Sequence, residues 1–132
     1  MFLNKLNSVE KEAFLELAHY IARSDEKFSN KEKEVIKTYC LEMQIDDIEF
    51  NEDSFDLDTT LSKFETKESQ KVALLEVMAL IFSDNILHKE EKKILDTMVE
   101  KFKLEPTLGD VYAEWTKAIL AITAQGQALI KL

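Results

Sequence analysis

Four carboxylates stand at matched places in a phrase that this chain contains twice. Residues 24–32 read Ser24-Asp25-Glu26-Lys27-Phe28-Ser29-Asn30-Lys31-Glu32, and residues 83–91 read Ser83-Asp84-Asn85-Ile86-Leu87-His88-Lys89-Glu90-Glu91. Asp25 and Glu32 thus recur as Asp84 and Glu91, 59 residues further on. Oxygen ligands without thiolates suit a hard divalent cation, calcium, magnesium or manganese, and disfavour structural zinc. Asp25, Glu32, Asp84 and Glu91 are therefore the candidate metal ligands, and such a cation is the one cofactor the residues suggest.

Local structure offers a second account of each. Glu32 and Glu91 fall three residues after Ser29 and His88, where a glutamate bonds back to the cap residue's N–H and complements the helix dipole. His88 is a poor cap, so Glu91 has the weaker local reason. Asp25 and Asp84 fall where a helix should end, and negative charge there opposes the dipole at a cost of about 0.3–1 kcal/mol. A bound cation, Lys27, or the N–H groups of the following helix would offset it.

The elements that must position these residues are helices. Two glycines and one proline leave few turn-formers in 132 residues, and strand patterning is nearly absent. Asn7 with Glu10 reads as a capping box opening a helix from about Ser8 to Ser24, with Ala13, Phe14, Leu17, Ala18, Ile21 and Ala22 on one stripe. Ser29 opens a second helix, to about Met43. A short helix is expected near Thr59–Phe64, and Thr66 caps another that runs to Ser83. This one has almost no polar face, the mark of a central helix. A fifth spans about Lys89–Lys103 and stops before Pro106. A last one, from Thr107 or Asp110 to Ala124, carries Val111, Tyr112, Trp115, Ala118, Ile119 and Ile122 on one face, with Trp115 and Tyr112 as core anchors. The reading is all-α: one compact domain over residues 1–132, a bundle of about six helices built from a duplicated helix-loop-helix at about 8–43 and 67–103.

The charge of −9 is concentrated. Glu42, Asp46, Asp47, Glu49, Glu52, Asp53, Asp56 and Asp58 occupy residues 42–58 with no Lys or Arg among them. Ile45, Ile48, Phe50, Phe55 and Leu57 interrupt these charges, so the acidic segment at about 44–58 is expected to be a packed connector and not a disordered tail. Asp47–Asp58 imitates the ligand spacing of an EF-hand, but Glu52 stands where that loop requires Gly. An acidic surface repels phosphate backbones and anionic headgroups, which argues against nucleic acid and against electrostatic membrane docking. Val72–Phe82, the longest apolar stretch, is too short to span a bilayer and is broken by Glu76. Without a signal peptide's apolar region at the start, a cytoplasmic protein is expected. Cys40, the one cysteine, is expected to be a core thiol. His19 is expected on the exposed side of its helix and His88 in a loop. No nucleophile–base pair, phosphate loop or histidine cluster announces catalysis, so the chain reads as no enzyme.

An apolar helix followed by Ala-x-Ser-Asp-x-x-Phe-x-x-x-Glu, repeated once in an all-helical chain of this size, resembles the tellurite-resistance TerB family and its TerB-like relatives. The resemblance covers roughly Lys11–Leu104, and its specific part is the two joints. It implies a cytoplasmic bacterial helical domain that binds a divalent cation through Asp25, Glu32, Asp84 and Glu91. It also implies a place in tellurite-resistance and stress-response systems, with an unidentified protein partner that is basic or membrane-associated. Where the family carries Asp-Gly, this chain has Asp25-Glu26 and Asp84-Asn85, so Glu26 and Asn85 offer further oxygen ligands. Thiols or an electropositive pocket for tellurium chemistry are not in evidence. The alternative is a metal-free helical adaptor whose joints are only caps and whose acidic segment docks a basic partner.

Overall fold

A computed structural model of the chain describes residues 1–24, 28–84 and 87–132, with Asp84 described for its backbone alone. Among these residues there are six α-helices and no strand: α1 (Ser8–Arg23), α2 (Asn30–Met43), α3 (Leu57–Leu61), α4 (Lys67–Ile81), α5 (Lys89–Lys101) and α6 (Pro106–Ile130). Short 3₁₀ turns occupy Leu3–Lys5 and Phe82–Asp84. None of the helices is long and apolar enough to cross a membrane.

Caps set the starts of these helices. Asn7 accepts the Glu10 N–H at 2.9 Å while Glu10 takes the Asn7 N–H at 3.0 Å, and Thr66 and Ser69 exchange the same pair of bonds ahead of α4. Asp56 receives both the N–H and the hydroxyl of Thr59, which opens α3 and holds its carboxyl below the usual carboxylate range. The ends are less regular. α2 and α5 close on Gln44 and Lys103, each in the left-handed region (φ 57° and 54°) where glycine is the usual occupant.

The core forms around α4, which packs against α1, α2, α5 and α6. Its Ala73, Leu74, Val77 and Leu80 are wholly enclosed, as are Ala13, Phe14, Leu15, Leu17, Ala18, Ile21 and Ala22 of α1. The expected stripe on α1 and the expected central place of α4 both follow from this burial. Each fully buried Leu or Phe contributes roughly 1.5–3 kcal/mol over leaving it exposed. Two carboxylates are also used internally. Glu42 and Glu76 accept the N–H groups of Leu3 and Phe2 at 2.9 and 2.7 Å, and both contact the Met1 ammonium, at 2.6 and 3.0 Å. Burial works against that charge, but the bonds to Glu42 and Glu76 outweigh it and hold the amine above its ordinary range. Tyr39 completes this corner, donating its hydroxyl to the Glu76 carbonyl at 2.6 Å and meeting Phe14 edge-on.

The apolar residues of the acidic segment pack on the helices. Ile45, Ile48 and Leu57 lie half-buried against the core, and Phe55 stacks on Tyr20 with centroids 4.4 Å apart. Asp46, Asp47, Glu49, Glu52, Asp53, Asp56 and Asp58 point outward.

Three expectations are corrected. His19 is only 5% exposed, held by Asp47 across the bundle. Cys40 is half-buried and not a full core residue. Most telling is α6, which continues past Ala124 to Ile130 and turns the expected core stripe outward: Val111, Trp115 and Ile122 are 59%, 42% and 60% exposed. Its inward side is formed instead by Tyr112, Ala113, Thr116 and Leu120.

Candidate functional site

The candidate ligands fall between α1 and α2 and between α4 and α5 or in the first turn of the following helix, and the starts of α2 and α5 are alike in one respect. In each, a residue with extended backbone, Ser29 or His88, precedes a helix whose third residue is the glutamate. Glu32 Oε1 accepts the N–H and the hydroxyl of Ser29 at 3.1 and 3.0 Å, and Glu91 Oε1 accepts the N–H of His88 at 3.0 Å. Glu32 is 2% exposed and Glu91 fully enclosed. Burial alone does not distinguish them, because Glu10, the capping glutamate of α1, is only 4% exposed. Capping is thus present at both joints.

What separates the joints from ordinary caps is their neighbourhood. α2 packs against the Phe82–Asp84 turn, and Lys31 beside Glu32 lines the same groove of about 580 Å³ as Ser83 and Leu87 of the second joint. Asp25, Glu26, Lys27, Asn85, Ile86 and the side chain of Asp84 lie outside the described residues. Among the described residues no three His, Cys, Asp or Glu side chains converge in an arrangement able to hold a metal ion. Glu32 and Glu91 are therefore the described members of the candidate set. The EF-hand-like run is otherwise engaged: Asp47 binds His19, Asp56 caps α3, and Asp58 pairs with Lys101 at 3.0 Å.

A second constellation escaped sequence reasoning. Arg23 Nη1 lies 2.6 Å from His19 Nδ1, and His19 Nε2 lies 2.7 Å from Asp47 Oδ1, which also accepts the Ile48 N–H at 2.8 Å. A guanidinium can only donate, so Nδ1 accepts and Nε2 carries the proton given to Asp47. The Arg23 guanidinium is also sandwiched between Phe28 and Phe50, 4.4 and 5.0 Å from their centroids. Burial, with the charge of Asp47 adding to it, pushes the Cys40 thiol up to about 11. It stays protonated at neutral pH, where only a thiolate would be nucleophilic. The constellation latches the acidic connector to α1 and shows no activated nucleophile. Nothing local signals it, since His19 and Asp47 are 28 residues apart.

Compared with family models, with curated proteins and with solved structures, the chain matches none.

Proposed function

We propose that this is a non-enzymatic, TerB-like helical domain that binds a divalent cation at its two joints and engages other proteins in a bacterial stress response of the tellurite-resistance type. The supporting observation is that α2 packs against the Phe82–Asp84 turn, while Lys31, next to Glu32, and Leu87, shortly before Glu91, line one groove with α6. Convergent carboxylates repel unless a cation or lysines offset them. On this reading Asp25 and Asp84 supply the remaining oxygen ligands beside Glu32 and Glu91, and calcium, magnesium or manganese is the ion.

The test is thermal unfolding with each of these ions against a chelator. Metal at one hundred times its dissociation constant stabilises by about 2.7 kcal/mol, which for a chain of this length raises Tm by about 10 °C. The paired changes Asp25→Asn and Asp84→Asn abolish the rise. An absence of any shift at millimolar metal removes the cation reading.

One observation favours the metal-free adaptor as a second reading. Glu49 and Asp56 of the connector, with Glu16 and Lys63, line a groove of about 360 Å³ together with half-buried Ile48, Phe50 and Phe55, a mainly acidic combination suited to a basic partner with an apolar anchor. Under that reading the two Asp→Asn changes leave partner capture intact.

A further inference from the structure

The outward face of α6 carries a pattern that the bundle uses only at Trp115, whose ring meets Phe2 at 6.1 Å between centroids. Val111, Trp115, Ala118, Ile122, Gln125 and Leu129 follow one another at intervals of four, three, four, three and four. This is the 3.5-residue repeat of a coiled-coil seam, not the broader stripe of a helix lying on a globular core. All six are exposed, Ile122 and Leu129 by 60% and 67%. The seam extends over about 27 Å. A single polar position, Gln125, interrupts it, as often occurs in seams that fix pairing.

Area and charge identify what covers the seam. The chain exposes 8233 Å², whereas a compact monomer of 15.3 kDa exposes about 7,100 Å². The excess, on the order of 1,000 Å², is close to the roughly 800 Å² that each partner contributes to a standard stable interface. Charge then narrows the partner. Between Lys117 and Lys131 α6 has no ionisable residue, in a chain of net charge −9. A basic partner finds nothing here to recognise, while two acidic copies meet over this stretch with the least repulsion.

We infer that a second copy of this chain packs its α6 against the α6 of the first, through Trp115, Ala118, Ile122 and Leu129, as an antiparallel two-fold pair, with Val111 outside the overlap. The direction follows from where the bundle sits. α4 and α5 cover the inner side of α6 towards its start, α2 lies across a groove from its inner side as far as Gln127, and only the last turn runs beyond the bundle. An antiparallel pair sends the two acidic bundles to opposite ends, whereas a parallel pair sets them side by side. The two-fold axis passes near Ile122, so Trp115 of one copy faces Leu129 of the other. This pairing is independent of cation binding, and either can fail without the other.

Sedimentation equilibrium of the full chain at tens of micromolar tests it. The expected mass is twice 15.3 kDa. Ile122→Glu combined with Leu129→Glu returns the monomer mass, with helical circular dichroism unchanged because both side chains are exposed. In a Cys40→Ser background, Ile122→Cys forms a disulfide between copies and Val111→Cys does not; a bond at both positions refutes the antiparallel arrangement. A wild-type monomer, or a double variant that remains dimeric, overturns the proposal. So does a monomer that partitions onto neutral phosphatidylcholine vesicles through the same residues, which would make the seam a lipid-binding face.

Discussion

Removing one oxygen from Tyr39 should produce a stability deficit that vanishes in alkali. In Tyr39→Phe the ring keeps its place against Phe14, and the hydrogen bond to the Glu76 carbonyl is lost. That carbonyl belongs to the middle of α4 and keeps its own helical N–H, so no acceptor is orphaned. The cost is then the net worth of one bond, about 1 kcal/mol, or about 3–4 °C in Tm for a chain of this length. The pH dependence carries the stronger test. Burial, reinforced by the charges of Glu76 and Glu42, pushes the Tyr39 hydroxyl well above its ordinary value. Above about pH 10 the unfolded phenol ionises while the folded one stays protonated, so the unfolded state binds fewer protons and stability falls as pH rises. At about pH 11 this single group removes about 1.4 kcal/mol from the wild type and nothing from the variant.

The deficit of Tyr39→Phe near neutral pH should therefore shrink to zero and turn slightly favourable at about pH 11. Urea unfolding followed by far-ultraviolet circular dichroism at the two pH values measures it. The comparison is a difference between two proteins, so the alkaline titration of Cys40, of the lysines and of the Met1 amine cancels. An equal deficit at both pH values would refute a buried, protonated Tyr39 between Glu42 and Glu76.

Two further changes probe other parts of the fold. Gln44→Gly and Lys103→Gly place glycine where φ is 57° and 54°; each should raise the unfolding free energy measured in urea by up to about 1 kcal/mol, the left-handed penalty less the entropy glycine gains when unfolded. A loss instead would show that those side chains hold contacts worth more than the strain. Asp47→Ala removes the acceptor of the buried His19 Nε2–H and of the Ile48 N–H. It should cost about 1–2 kcal/mol and speed amide exchange across residues 45–56 more than in α4; unchanged exchange there would mean that Phe50 and Phe55 hold the connector without the latch.

What the sequence disclosed and what it withheld divide along the range of the forces involved. Asn7/Glu10, Ser29/Glu32 and Thr66 mark helix starts because a cap satisfies N–H groups within one turn, and the structure places all three as read. Ile45, Ile48 and Phe55 signal packing because apolar residues among so many acids need a surface to cover. His19 offered no such signal. A lone polar residue on an amphipathic helix reads as solvent-facing until its partners Asp47, Arg23 and Phe50 are in place. Asp25 and the Asp84 side chain, the half of the candidate site least explained by capping, lie outside the described residues, so the sequence is their only witness.

α6 shows a different kind of ambiguity: its apolar pattern is plain in the sequence, and the surface that covers it is not. Apolar residues on one face state that the face will be covered, and a chain considered alone offers only its own core to do it. The expected end at Ala124 also falls short of the helix, which contains Gly126. The helix continues because a glycine within it costs only about 1 kcal/mol, against flanking Ala, Leu and Ile. With α6 extended to Ile130, Ile122 and Leu129 are exposed and take no part in the core of the bundle. The interval does not separate the two faces: Tyr112, Thr116 and Ile119 face inward at the same spacing of four and three with which Val111, Trp115, Ala118 and Ile122 face out. A helix with two apolar faces is asking for two partners, and the bundle supplies one.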